Sequence, residues 1–263
     1  MKPTEETQKK GDMPERERHV ALECRNITHY YDSVRALNGL NLQLREGEML
    51  GIAGDNGAGK STLVKILRGV IRPTGGEIRI KGEHKAFESP RDALQEGIQC
   101  VYQEQALIGQ LSVAENFFLG QERIRNGEHA LIKIVDRLRM IEESSTYLEK
   151  MGFKLRAEEE IQNFSGGQRQ AVSILRALYF NPTILLLDEP TTALSEKAKK
   201  RLFVLLSEIK KRCPMILITH DIFDAVRLCD RILVMKQGEI VYELNMKVGM
   251  REEEAFREIV KHF

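Results

Sequence analysis

From Val20 the chain alternates between two hydrophobic rhythms. "VALECRNITHYY" alternates loosely, and "LNGLNLQL" alternates clearly, with Leu40, Leu42 and Leu44 on one face; both read as β-strands. "REGE" reads as a turn, and "MLGIAG" as a short apolar strand. "KSTLVKILRGV" carries Leu63, Ile66, Leu67 and Val70 at helical spacing. "PTGGEIRI" predicts a turn and a strand, and "GIQCVYQ" a further apolar strand. From about Ser112 to Asn163 the pattern becomes charged and mostly helical, with Leu131, Ile134, Val135 and Leu138 as one apolar stripe. Then "GGQRQAVSILRALYF" predicts a helix, "TILLLDEP" a strand, "SEKAKKRLFVLLSEIKKR" a helix and "PMILITH" a strand. "DIFDAVRLC" follows as a helix, and "RILVM" with "EIVYEL" as two last strands. Phe256, Ile259, Val260 and Phe263 mark a short amphipathic helix packed on the core.

Near-continuous apolar strands between helices predict an α/β fold, its mostly parallel sheet covered on both faces. The strand-rich opening predicts an attached antiparallel β piece. Residues 1–18, "MKPTEETQKKGDMPERER", lack the apolar core of a secretory signal and read as a solvated polar tail. No apolar run approaches the ~20 residues of a membrane helix.

Composition adds exclusions. With 263 residues, a buried core is well within reach. A net charge of +1 gives no global basic field for nucleic acid. Cys24, Cys100, Cys213 and Cys229 are scattered without a C-x-x-C pair, which suits small buried hydrophobes in a reducing cytosol.

"GDNGAGKST", Gly54 to Thr62, supplies the chemistry. Gly54, Gly59, Lys60 and Ser61 satisfy G-x-x-x-x-G-K-[ST], with a strand before and a helix after. Glycines let successive N–H groups converge on an anion, and the helix start adds its positive dipole end. Asp55, Asn56, Gly57, Ala58 and Thr62 complete the phosphate seat. Lys60 places a point charge on the β- and γ-phosphates, and the Ser61 hydroxyl can ligate Mg²⁺.

"NFSGGQRQ" repeats the helix-start physics: Ser165 can N-cap, and Gly166, Gly167 and Gln168 open the helix. Three strand ends carry polar tips. After "ILLLDEP", Asp188 is placed to hold Mg²⁺ and Glu189 to polarise water. His220 follows "MILIT", where it can contact a γ-phosphate or orient that water. Gln103 follows "GIQCVY" and can reach the metal or the water.

The ordered set "GDNGAGKS", "VYQE", "FSGGQ", "ILLLDEP" and "ITHD" resembles the ATP-binding subunits of ABC transporters, over roughly Val20 to Leu244. "VYQEQALIGQLSVAENFFLG" is most similar to the ATPases of simple-sugar importers. The resemblance implies a P-loop core, an antiparallel β subdomain and a helical subdomain at about 104–178, within an ATPase domain of 19–248 followed by a terminal helix at 249–263. "YDSVRAL" resembles the family's aromatic loop, with Tyr31 stacking on adenine and Tyr30 as the competing ring.

The resemblance implies a head-to-tail homodimer in which Ser165, Gly166, Gly167 and Gln168 of one copy cover the ATP held by the other. It also implies a permease partner, an indirect link to a solute-binding protein, no nucleic-acid partner, and a peripheral place on the cytoplasmic membrane face. Two positions depart from the family pattern: Phe164 where Leu is usual, and Ser195 where Asp is usual. The competing expectation is a soluble ABC ATPase acting on nucleic acid or ribosomes. A GTPase lacks its N-K-x-D motif here, and a zinc hydrolase its H-E-x-x-H.

Overall fold

The structure is a computed structural model. It describes residues 19–102, 106–125, 133–192, 194–246 and 250–263. The described residues divide into two compact units. The first takes in the described part of Met1–Cys100 with Pro182–Glu189 and Phe203–Phe263; the second is the described part of Val101–Asn181 with Pro190–Leu202.

The first unit holds two sheets. Strands β1 (Val20–Tyr31), β2 (Val34–Arg45), β4 (Gly75–Ile80) and β5 (Glu83–Lys85) form an antiparallel sheet in the order β2-β1-β4-β5. Strands β3 (Met49–Ala53), β6 (Ile98–Val101), β7 (Ile184–Asp188), β8 (Met215–Thr219), β9 (Arg231–Lys236) and β10 (Glu239–Asn245) form the other, ordered β10-β9-β3-β8-β7-β6. There β3 runs parallel to β8 and β9, and β7 parallel to β8, while β10 returns antiparallel to β9. Every residue of β3 and β8 is buried, as two-sided coverage of a parallel sheet requires. Leu40, Leu42 and Leu44 all enter the core, so the alternation in β2 read the sheet correctly.

Helix α1 (Lys60–Leu67) buries Leu63, Ile66 and Leu67. It ends before Val70, which is exposed, so that residue does not extend the stripe. Helix α2 (Pro90–Gln95) and strand β5 were not expected. Yet α2 has clear start signals: Ser89 and Asp92 form a capping box, and Pro90 takes a first-turn position. Helix α7 (Ile222–Leu228) is capped by Asp221, whose carboxylate accepts from the N–H groups of Phe223 and Asp224. Helix α8 (Glu252–Val260) buries Ala255 and Ile259 and stacks Phe256 on Phe223 of α7, ring centroids 4.2 Å apart. Val260 remains exposed, so only part of that apolar stripe packs.

Among its described residues the second unit is less helical than its charge pattern predicts. Between Ser112 and Asn163 it has α3 (Val113–Phe117), α4 (Arg137–Lys150) and a 3₁₀ turn at Ile161–Asn163. The expected stripe is broken: Val135 forms an antiparallel bridge with Ile124, and Asp136 caps α4 only afterwards. Ile134, Val135 and Leu138 are exposed, and Leu131 lies outside the described residues. Helix α5 (Gly166–Tyr179) matches expectation. Helix α6 (Glu196–Ile209) begins at Ser195, whose hydroxyl accepts from the Ala198 N–H at 3.4 Å. Serine at this departure from the family pattern thus serves as a cap. Cys24, Cys213 and Cys229 are buried free thiols; Cys100 is half-buried. Burial pushes all four thiols up, Cys24, Cys100 and Cys213 to about 12, which suits inert packing.

Candidate functional site

The order β3-β8-β7 sets three strand ends side by side, with Ala53 level with Thr219 and Asp188 level with Ile218. Each strand is followed by its polar tip: the Gly54–Lys60 loop after β3, His220 after β8, and Asp188–Glu189 at the end of β7. Ligands in open α/β sheets sit beyond these carboxyl ends.

In the loop, Asp55, Asn56, Gly57 and Ser61 are exposed, while Ala58, Lys60 and Thr62 are buried. Gly59 enters α1 with φ +103°, a turn that side-chain-bearing residues resist. The Lys60 ammonium donates to the carbonyls of Gly54 and Asp55, the latter at 2.9 Å. Its pKa is lowered by desolvation, against the pull of Glu189, Asp55 and Asp188. Asp188 is shifted the other way: burial, then the charge of Glu189, raises its pKa, against Arg68 and Lys60. Two carboxylates crowded together in a half-dry setting form a place where a cation relieves repulsion. Asp188 and the Ser61 hydroxyl are hard oxygen donors of the kind Mg²⁺ takes, and Mg²⁺, which keeps several waters, needs few of them.

Glu189 has φ +50°, a left-handed conformation uncommon for a residue of its kind. Its N–H donates to the Ile218 carbonyl at 2.9 Å, which holds the turn. Its Oε1 accepts from the His220 N–H at 3.1 Å and lies 2.7 Å from His220 Nδ1. A carboxylate only accepts, so Nδ1 carries the proton. The Glu189 side chain is 11% exposed and that of His220 59%. The carboxylate is therefore sheltered, and it is oriented by a ring that is itself largely exposed. Gln103 lies outside the described residues.

The two tyrosines separate by sheet face. His29 pairs with Leu37, and a Cβ placed on Gly59 would meet Leu37 Cδ2 at 3.0 Å. Tyr31 shares the face of His29, their rings edge to face at 4.7 Å. Tyr30 belongs to the other face, with the Arg35 guanidinium 5.6 Å from its ring centre. Tyr31 therefore lies on the face turned toward the phosphate loop, and it is exposed.

In the second unit, Ser165 and Gln168 form a capping box at the start of α5. The Ser165 hydroxyl accepts from the Gln168 N–H at 3.4 Å, and Gln168 Oε1 from the Ser165 N–H at 2.9 Å. Both residues are exposed. Gly167 has its own packing reason: a Cβ there would come 2.7 Å from Ala198 Cβ.

One organising residue escaped the sequence reading. Asn116 is fully buried and binds its own loop, accepting from the Ile108 N–H and donating to the carbonyls of Ile108, Leu111 and Ser112. The available signal was an Asn beside an apolar helix start in "SVAEN".

A phosphate loop between a buried strand and a helix, beside acid-tipped parallel strands, defines a P-loop nucleotide-binding α/β protein. A family model described as ABC transporter matches residues 37–192, and the chain belongs to the ABC transporter family. It is similar to the ribose import ATP-binding protein RbsA of Yersinia pestis, 38% identical over 240 residues, covering 91% of this chain and 46% of that protein. It is also similar to the xylose/arabinose import ATP-binding protein XylG of Sulfolobus acidocaldarius, 38% identical over 224 residues, covering 84% of this chain and 86% of the relative. The chain thus spans about half the length of the ribose relatives. Among solved structures, the dimeric post-hydrolysis state of the ATP-binding cassette MJ0796 bound to ADP and Pi is 29% identical, with a TM-score of 0.69, covering 86% of this chain and 99% of that one. The fold is that of an ABC ATPase cassette: α/β, with a sheet of mainly parallel strands and an antiparallel β subdomain. Among the described residues, no helix is long and apolar enough to cross a membrane.

Proposed function

We propose that this chain is the ATP-binding and hydrolysing subunit of an importer, energising uptake of a simple sugar through a partner permease. One observation carries the reading: Glu189, sheltered and hydrogen-bonded to His220, stands at the tip of β7 within electrostatic reach of Lys60. The sugar assignment rests on the names of the relatives, which are ribose and xylose/arabinose import proteins.

In this reading Gly54–Thr62 cradles the phosphates, and Tyr31 stacks on adenine. Ser61 and Asp188 hold Mg²⁺, with Gln103 as a further ligand; bound there, the ion would neutralise charge on the β- and γ-phosphate oxygens. Glu189 polarises the attacking water, and His220 holds Glu189 in place. With its Nδ1 proton on Glu189, a neutral His220 ring offers only an acceptor at Nε2. Donation to a γ-phosphate therefore needs a second proton or release of the ring from Glu189. Ser165, Gly166, Gly167 and Gln168 act on the nucleotide of a second copy; that two copies pair is supported by the dimeric structure of the similar cassette MJ0796. The second unit corresponds to a helical subdomain at about 104–178, within an ATPase domain of 19–248. Its exposed Ile108, Ile134, Val135 and Leu138 supply apolar surface for a permease segment, which would keep the chain on the cytoplasmic membrane face.

The test is Glu189→Gln. With ATP and magnesium, the variant should bind nucleotide like the parent, hydrolyse it at least about a hundredfold more slowly, and accumulate as a dimer in size-exclusion chromatography. Hydrolysis at the parent rate would remove Glu189 from the mechanism. Co-purification with ribosomes or nucleic acid, rather than with a permease, would replace transport with the soluble role.

A further inference from the structure

The turn between β9 and β10 has no part in the site described so far, yet it touches both the phosphate loop and strand β2, which pairs with the strand carrying Tyr31. Gln237 and Gly238 both have positive φ, +50° and +81°, as in the two-residue hairpin turns that suit twisted strands. The Gly238 N–H donates to the Ala58 carbonyl inside the phosphate loop at 2.9 Å. The Gly238 carbonyl accepts from the Asn38 N–H of β2 at 2.9 Å. The Asn38 side-chain amide donates onward to the Glu239 carboxylate.

Three backbones meet here without room for side chains. A Cβ on Gly238 would lie 2.7 Å from the Ala36 carbonyl oxygen and 2.9 Å from Leu37 Cα. A Cβ on Gly59 would lie 2.7 Å from the same oxygen and 3.3 Å from Gly238 Cα. Strand β2 in turn pairs with β1, with Val34 opposite Tyr31. A short covalent and hydrogen-bonded path therefore runs from the Tyr31 platform through Ala36–Asn38 and Gly238 to Ala58.

We infer that Gly238, with Asn38, is a positioning clamp that fixes the separation between the adenine platform and the phosphate seat. The inference rests on the nucleotide reading given above. A ligand that reaches both ends at once gains from their fixed spacing, because binding at one end presents it to the other without further ordering cost. A ligand that reaches only one end gains nothing from it. Backbone contact is the stiffest available link, since no rotamer can relax it.

Calorimetric titration of the full chain with ATP and with inorganic tripolyphosphate separates these cases, because tripolyphosphate occupies the phosphate seat alone. Gly238→Ala should lower ATP affinity by roughly tenfold and leave tripolyphosphate within about twofold of the parent. Tyr31→Ala should show the same selectivity. Asn38→Ala removes only a side-chain bond, so it tests the clamp even where Gly238→Ala does not fold; its ATP affinity should fall about threefold, with tripolyphosphate unchanged. Parent-like ATP affinity in both Gly238→Ala and Asn38→Ala would overturn the clamp. Equal losses for both ligands would also overturn it, since the hairpin would then shape only the loop. Parent-like ATP binding by Tyr31→Ala would remove the Tyr31 platform and with it the clamp's second end, while failure of the parent to bind either ligand would instead refute the nucleotide reading beneath it.

Discussion

The phosphate loop and the Ser165 turn both put glycines at the start of a helix, but they are built differently. The loop is held from outside: Ala58 bonds to the β9–β10 hairpin, Gly59 crowds β2, and Lys60 is buried. The Ser165 turn satisfies itself, with Ser165 and Gln168 capping one another at an exposed position. A site made rigid by its surroundings can bind on its own. A self-capped, exposed turn is stable without a ligand and is suited to meeting one that another molecule brings.

The contrast breaks first at Lys60. Lys60→Ala should reduce ATP affinity on the order of a hundredfold in equilibrium dialysis, with little change in the melting curve. Parent-like binding would mean that the loop is only a helix cap. Ser165→Ala sharpens the other side. Loss of the cap alone costs about 1 kcal/mol in urea unfolding, and ATP affinity of the monomer should not move. Dimer-dependent hydrolysis should fall by roughly tenfold if the hydroxyl also meets a partner's phosphate. An unchanged turnover rate would leave Ser165 with the cap role only.

The smallest expected effect concerns the ionic cluster of the second unit, where Glu143 accepts from Tyr179 at 2.6 Å, Arg139 at 2.7 Å and Arg123 at 2.8 Å. Burial works against ionisation, but these three donors hold the carboxyl at about 2, down from an ordinary 4.5. A depressed acid contributes stability above its unfolded pKa and loses it as pH falls toward the folded one. The parent should therefore exceed Glu143→Gln by about 1 kcal/mol at pH 7, after discounting for solvent screening. The gap should shrink as pH drops from 4.5 toward 2. A gap that is independent of pH would show that packing, rather than charge, holds the cluster.

Much of the fold was legible because local signals agree with the final packing. The buried runs of β3 and β8, the strand–loop–helix around Lys60 and the capped start of α5 each carry their own instructions. The failures occur where long-range pairing overrides local rhythm. Ile134, Val135 and Leu138 have helical spacing, but Val135 is taken by its bridge to Ile124 and Asp136 starts the helix late. Helix α2 has a capping box in "SPRD", but its six residues give too short an apolar period to predict a helix. The polar tips Asp188, Glu189 and His220 could be placed at strand ends, but the bond between Glu189 and His220 depends on β7 lying next to β8. The Gly238 contact was beyond sequence reading, since it needs three separate backbones to converge.

The left-handed backbone of Glu189 has an evolutionary consequence. Asparagine or glycine would occupy that conformation with less strain, by an amount on the order of 1 kcal/mol. On the proposed function, a lineage released from the need for turnover would gain stability by replacing the acid. If Glu189 polarises water as proposed, Glu189→Asn should therefore resist urea better than the parent while losing turnover.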